Sequence, residues 1–109
     1  MNERMMDELN SLDRDALMGR MARELPYISG ELGLTAGDVI LRAGLDMKRL
    51  SMVISGKRKM KWSEYLSILF VLWDNEEGRG IIEESGLFPD ALKRAMSINR
   101  HAHGEQGGG

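Results

Sequence analysis

The chain has 109 residues, which is enough for one domain with a single hydrophobic core and too few for two ordinary domains. It has no cysteine, which excludes disulfides, thiolate zinc sites and cysteine nucleophiles. Because the sequence shows no signal peptide and no apolar run of bilayer length, we expect a cytoplasmic protein without membrane contact. The formal net charge of −2 argues against indiscriminate nucleic-acid binding but leaves room for a local basic patch.

Residues 1–25 carry apolar side chains at helical spacing, which predicts an N-terminal helical extension that Asn10-Ser11 could break and recap. The sequence leaves open whether its Met-rich face packs within the chain or against a second copy. A new helix is predicted to begin at Pro26, because the first turn of a helix does not need the N–H group that proline lacks. We expect this helix to bury Tyr27, Ile28 and Leu32.

Two short helices around a glycine turn are predicted next. Thr35 is a good N-cap for the first helix, and Gly44 is the residue best able to end it in the left-handed conformation. Asp46 can cap the second helix, which Gly56 stops. The buried stripe of the second helix is predicted to consist of Leu50, Val53 and Ile54.

Positive charge is concentrated in the second helix and the loop after it. Between residues 46 and 61 the balance is +5, in a chain whose total is −2. The cations are Lys48, Arg49, Lys57, Arg58, Lys59 and Lys61. A lysine or arginine taken singly is more often solvated surface charge, and a local basic patch of this kind is compatible with DNA binding.

Residues 32–59 resemble the helix-turn-helix of the lambda-repressor-like family, the Cro and xenobiotic-response-element type of bacterial and phage regulators. The resemblance is carried by Leu32-Gly33-Leu34-Thr35, Val39, Gly44-Leu45, Leu50, Val53 and Ser55-Gly56-Lys57-Arg58. In that family the second helix enters the major groove with its first two residues and its sixth facing base edges. The resemblance therefore implies the following DNA contacts: Met47, Lys48 and Met52 at base edges, Arg49 and Ser51 near the backbone or groove wall, and Lys57, Arg58, Lys59 and Lys61 at phosphates.

The sequence departs from the family pattern at four positions of the two predicted helices. Ile40 stands where the family normally has alanine, and Ala36 stands where a glutamine often contacts phosphate. Met47 and Met52 replace amides and arginines, so they can touch thymine methyl groups but cannot make bidentate contacts to bases. These departures support an alternative function, a protein-interaction module of partner-binding or antitoxin-like type.

A core helix is predicted from Glu64 through Trp73, after the lead-in Lys61-Trp62-Ser63. Trp62 and Leu66 are expected to pack against Leu50 and Val53. Residues 74–98 are predicted to form C-terminal helices, one ending near Gly86 and one beginning at Pro89. Six acids against one base, Arg79, give residues 74–90 a charge balance of −5, which indicates a solvated face or a surface for a basic partner.

Residues 99–109 end in Gly107-Gly108-Gly109, and we expect a flexible tail. His101 and His103 are the only histidines, and without neighbouring carboxylates or cysteines they make a weak metal site. No nucleophile with a base, no carboxylate pair at a telling spacing and no phosphate-binding glycine loop is present. We therefore expect no catalysis, no cofactor, no metal and no small-molecule substrate.

Together these features predict an all-α bundle of five to seven helices, with a helix-turn-helix domain over residues 26–73 and helical extensions on both sides. The expected function is sequence-specific binding of double-stranded DNA by a small transcriptional regulator. Operators of the family it resembles are commonly two-fold symmetric, so the resemblance implies a homodimer, and occupation of a promoter by a repressor is the simplest mechanism.

Overall fold

A computed structural model of the chain describes residues 13–95, and every regular element in this range is helical. The helices are α1 (Arg14–Glu31), α2 (Ala36–Arg42), α3 (Met47–Ile54), α4 (Trp62–Asp74) and α5 (Glu76–Ser85), and residues 90–95 are helical as well. The all-α prediction is thus confirmed. None of the helices in residues 13–95 is long and apolar enough to cross a bilayer.

The chain divides into two compact units. One is Arg14–Leu87, which contains α1 to α5 and every predicted DNA-contacting residue; of the other, the structure describes Asp13 and residues 88–95. In the second unit, helical structure follows Pro89 as predicted, and the Lys93 amide donates to the Pro89 carbonyl over 3.0 Å. The predictions for the N-terminal stripe before residue 13, for Asn10-Ser11, for His101 and His103 and for the glycine tail lie outside the described residues.

Helix α1 corrects the prediction that a helix begins at Pro26. The helix runs unbroken from Arg14 to Glu31, and Pro26 lies inside it, on the exposed side. An interior proline costs a helix about 3 kcal/mol, because it removes a hydrogen bond and crowds the preceding turn. A continuous apolar stripe crosses the proline and offsets this cost, since four of its members are 9% exposed or less: Leu17, Met21, Leu25 and Ile28.

The same continuity makes the predicted burial of Tyr27 wrong. Tyr27 is 69% exposed, whereas Ile28 is 1% exposed and Leu32 is half-buried. Because residues two apart on a helix point in nearly opposite directions, the burial of Leu25 turns Tyr27 toward solvent. Its hydroxyl is paired with the Glu31 carboxylate, and this hydrogen bond raises the pKa of Tyr27.

The core of the Arg14–Leu87 unit is built around α4, as the sequence predicts for residues 64–73, and the helix begins two residues earlier, at Trp62. Helix α4 packs against α1, α2 and α5, and α3 packs against α1 and α2. Buried side chains come from all five helices, including Ile28, Val39, Ile40, Leu50, Val53, Tyr65, Ile68, Leu69, Leu72 and Ile82. Trp62 stacks on Tyr65 with a centroid distance of 4.8 Å, and the Arg14 guanidinium lies 4.9 Å above its ring.

Two polar contacts hold the end of α5 in this bundle. The buried Tyr65 hydroxyl donates to the carbonyl of Leu87, and the Arg20 guanidinium donates to the carbonyl of Ser85 while it pairs with Glu24. All six acids of residues 74–90 are exposed, which fits both a solvated face and a surface for a basic partner.

Candidate nucleic-acid interface

The turn between α2 and α3 is fixed by hydrogen bonds within short stretches of sequence. Thr35 and Asp38 form a reciprocal capping box at the start of α2, with distances of 2.9 Å and 3.1 Å. Gly44 adopts a φ of +73°, and the following amide, that of Leu45, donates to the Ile40 carbonyl over 3.1 Å. The Asp46 carboxylate then accepts from the Arg49 amide at the start of α3. Two short helices joined by a glycine turn are thus formed, with the predicted caps.

Met47, the first residue of α3, packs back against α2. A Cβ atom added at Gly37 would lie only 3.2 Å from the Met47 methyl group, so the absence of a side chain at Gly37 gives Met47 its space. Met47 is half-buried. The side chain therefore belongs to the α2–α3 packing, which explains why an apolar residue is suitable at this position.

Three predicted contact residues lie on the outer part of α3. Lys48 and Ser51 are exposed, and Met52 is half-buried. Since helical residues three and four apart are neighbours, these three side chains occupy one face. Lys48 is the only one of them with a charged donor.

Arg49 is engaged by another helix. Its Nε donates to Oε2 of Glu64 over 2.8 Å, and its terminal nitrogen donates to Oε1 of the same carboxylate and to the Lys59 carbonyl, each over 3.1 Å. The Lys61 amide adds a 2.7 Å hydrogen bond to Oε1 of Glu64. The Arg49–Glu64 pair thus joins α3, the basic loop and the start of α4. The guanidinium of Arg49 therefore has two partners within the chain, and its predicted place beside DNA stays a prediction.

Glu64 was not singled out from the sequence. Its side chain is only 8% exposed. Burial raises the pKa of Glu64, but the hydrogen bonds from Arg49 and from the Lys61 backbone, with the charges of both residues, outweigh burial and leave the pKa below its ordinary value. The carboxylate is therefore ionised at neutral pH. The local signal was the spacing from Lys61 to Glu64, which places an acid at the third position of α4 as in a capping box.

The loop after α3 gathers the remaining cations. The amides of Lys57 and Arg58 both donate to the Met52 carbonyl, over 2.9 Å and 3.3 Å, which turns the chain back beside α3. An open concavity of about 530 Å³ results, lined by Arg49, Met52, Lys57, Arg58 and Lys59, and we call it the basic concavity. None of its lining residues is acidic. Lys61 is exposed at the start of α4 and does not line the concavity.

No family model matches the chain, and no curated protein or solved structure is significantly similar to it. The case for a function therefore rests on the geometry of the chain itself. Within residues 13–95 no group of three or more histidines and carboxylates is placed to hold a metal ion.

Proposed function

We propose that the chain is a sequence-selective double-stranded DNA-binding transcription regulator, acting as a dimeric repressor. The observation that carries the proposal is the basic concavity beside the outer face of α3, which combines exposed Lys57, Arg58 and Lys59 with a short helix that presents Lys48. Major-groove readers of the helix-turn-helix type join the same two parts, a helix for bases and flanking donors for phosphates.

The roles differ by residue. Lys48 donates to guanine O6 or N7, and Met52 supplies an apolar contact to a thymine methyl group. Lys57, Arg58 and Lys59 neutralise phosphates, which releases counterions and makes affinity salt-dependent. The Arg49–Glu64 pair contributes by holding the basic loop against α3, because Arg49 also binds the Lys59 carbonyl.

Selection from a random double-stranded DNA library at moderate salt, followed by a salt titration of the enriched sites, tests the proposal. We expect a two-fold symmetric motif, as a homodimer requires. Lys48→Ala and Lys57→Ala serve as matched variants. Lys48→Ala should weaken binding to the selected site more than binding to random duplex. Lys57→Ala should weaken binding to both duplexes equally and lower the slope of log affinity against log salt concentration by about one. Equal effects on both duplexes would reject Lys48 as a base reader.

A second candidate function is a protein-interaction module on the same fold. Two observations favour it: Met47 is packed against α2, and Arg49 is paired with Glu64, so two of the predicted contact residues are committed to internal contacts. If the library yields no enriched sequence and duplex binding is negligible at low salt, this second function replaces the first.

A further inference from the structure

A groove lies between α1 and the end of α3, next to the basic loop. Its volume is about 350 Å³, at the lower end of the range of about 300–1,000 Å³ usual for ligand pockets. Buried Val53 and Met60 contribute to it, together with Met18, Ala22 and Ile54, which remain half-exposed. We call it the α1–α3 groove. Its apolar atoms are therefore accessible and only partly covered by the chain.

Gly19 opens the groove on the α1 side. Gly19 is one of the lining residues, and a Cβ atom added there would meet only the Arg23 guanidinium, at 3.4 Å. The absence of a side chain at this position leaves space between Met18 and Ala22 in the middle of a helix. Glycine costs a helix about 1 kcal/mol relative to alanine, so a gain from the open space would offset that cost.

The rim of the groove is cationic. Arg23, Arg58 and Lys59 line it against a single acid, Asp15. Among residues 13–95, no carboxylate forms a salt bridge with any of these three cations; the ion pairs found there are Arg20–Glu24 and Arg49–Glu64. An apolar floor with an uncompensated positive rim is complementary to a ligand that carries apolar and acidic groups together.

We propose that the α1–α3 groove binds an acidic amphipathic helix of a partner protein. A row of apolar side chains at helical spacing fills the space between Met18 and Ile54, and flanking carboxylates reach Arg23, Arg58 and Lys59. A nucleic acid fits less well, because the apolar floor offers no donor to phosphate. The groove requires no DNA for its occupation, so this inference stands independently of the proposed function.

A partner bound in the α1–α3 groove would also affect the basic concavity. Arg58 and Lys59 line both the α1–α3 groove and the basic concavity. A partner that occupies the groove would neutralise two of the cations proposed to bind phosphate. DNA binding should therefore weaken when the partner is bound; this consequence, unlike the occupation of the groove, rests on the proposed function.

A synthetic peptide and methionine-methyl NMR of the full chain test the proposal. The probe is a blocked peptide of about 16 residues, long enough for partial helix formation, with leucine at i, i+3, i+4 and i+7 positions and glutamate at most others. We expect the Met18 and Met60 methyl signals to shift on titration. A peptide with lysine in place of every glutamate should bind at least about tenfold more weakly.

Gly19→Leu, which fills the groove, and Gly30→Leu, at an open position of the same helix, form a matched pair of variants. Gly19→Leu should weaken peptide binding by about tenfold or more, and Gly30→Leu should leave it unchanged. Arg23→Glu supplies a second test that does not fill the groove. It should weaken binding of the acidic peptide and strengthen binding of the lysine peptide.

The proposal is overturned if neither methyl signal shifts at millimolar peptide, or if Gly19→Leu and Gly30→Leu behave alike. It is also overturned if a duplex oligonucleotide, and not the acidic peptide, moves the Met18 and Met60 signals. Movement of these signals with protein concentration alone would assign the groove to a second copy of the chain and would likewise reject a partner helix.

Discussion

Replacing Glu64 by glutamine should loosen the contact between α3, the basic loop and α4. Glutamine has the same shape but presents an NH2 group to one of the Arg49 donors and carries no charge. The carboxylate accepts two hydrogen bonds from Arg49, at 2.8 Å and 3.1 Å, and one from the Lys61 amide at 2.7 Å. Glu64→Gln can retain the bond from Lys61 and one bond from Arg49, so one charge-assisted hydrogen bond and the ionic attraction are lost.

The size of the effect follows from burial. Hydrogen bonds to charged groups contribute about 1.5–3 kcal/mol, and the 8% exposure of the Glu64 side chain keeps water from replacing the lost bond. We expect Glu64→Gln to lower the free energy of unfolding by about 2 kcal/mol, which corresponds to a Tm lower by roughly 8 °C for a chain of this size. Glu84→Gln, an exposed carboxylate on α5, should change the free energy by less than about 0.5 kcal/mol.

The pH dependence provides a second readout. Because the folded-state pKa of Glu64 lies below its ordinary value of 4.5, its contribution is present above that pH and is lost as pH falls through the folded-state pKa. Urea unfolding of the parent and Glu64→Gln chains should therefore show the full difference at pH 7 and a smaller one on acidification below about pH 4. A difference below about 0.5 kcal/mol at pH 7, or one that does not change with pH, would show that the ion pair does not stabilise the fold.

Three further substitutions test the fold, and two of them have a matched control variant. Gly44→Ala should lower the free energy of unfolding by about 1 kcal/mol, because its φ of +73° strains any residue with a Cβ atom; an unchanged Tm would refute the turn geometry. Tyr65→Phe should cost about 1–2 kcal/mol in urea unfolding by leaving a buried carbonyl unpaired, whereas exposed Tyr27→Phe should have almost no effect. Burial raises the pKa of Tyr65, so the folded state keeps its proton above pH 10, and stability should fall with pH there in the parent and less so in Tyr65→Phe. Gly78→Ala should lower the free energy of unfolding by about 2 kcal/mol or more, because its Cβ atom would overlap a backbone carbonyl. Gly80→Ala has open space around it and should stabilise α5 slightly. Equal melting temperatures for the two variants would contradict this packing.

The two short helices α2 and α3 and the glycine turn between them could be predicted from the sequence because their determinants are local. Thr35, Gly44 and Asp46 each act on backbone groups within a few residues, and the structure shows all three in the predicted roles. The buried stripe of α3 was correct for Leu50 and Val53, which are 0% and 2% exposed. The exposure of the acids of residues 74–90 was predictable from residue type, since carboxylates are rarely buried.

The errors fell where packing outweighs local preference. Pro26 normally starts or breaks a helix, yet a stripe of buried side chains before and after it keeps α1 intact, and Tyr27 faces solvent as a result. The ion pair of Arg49 was not predicted from the sequence either. Its partner Glu64 is fifteen residues away, and no local pattern states that the two side chains meet.

The sequence by itself determined the helical class, the caps and the place where positive charge collects, because these depend on periodicity and on groups a few residues apart. Only the tertiary structure decided which cations stay available. It paired Arg49 with Glu64, left Lys48, Lys57, Arg58 and Lys59 exposed, and opened a groove at Gly19. These outcomes depend on how α1, α3 and α4 pack, because the groups that these side chains contact lie on other helices and are distant in the sequence.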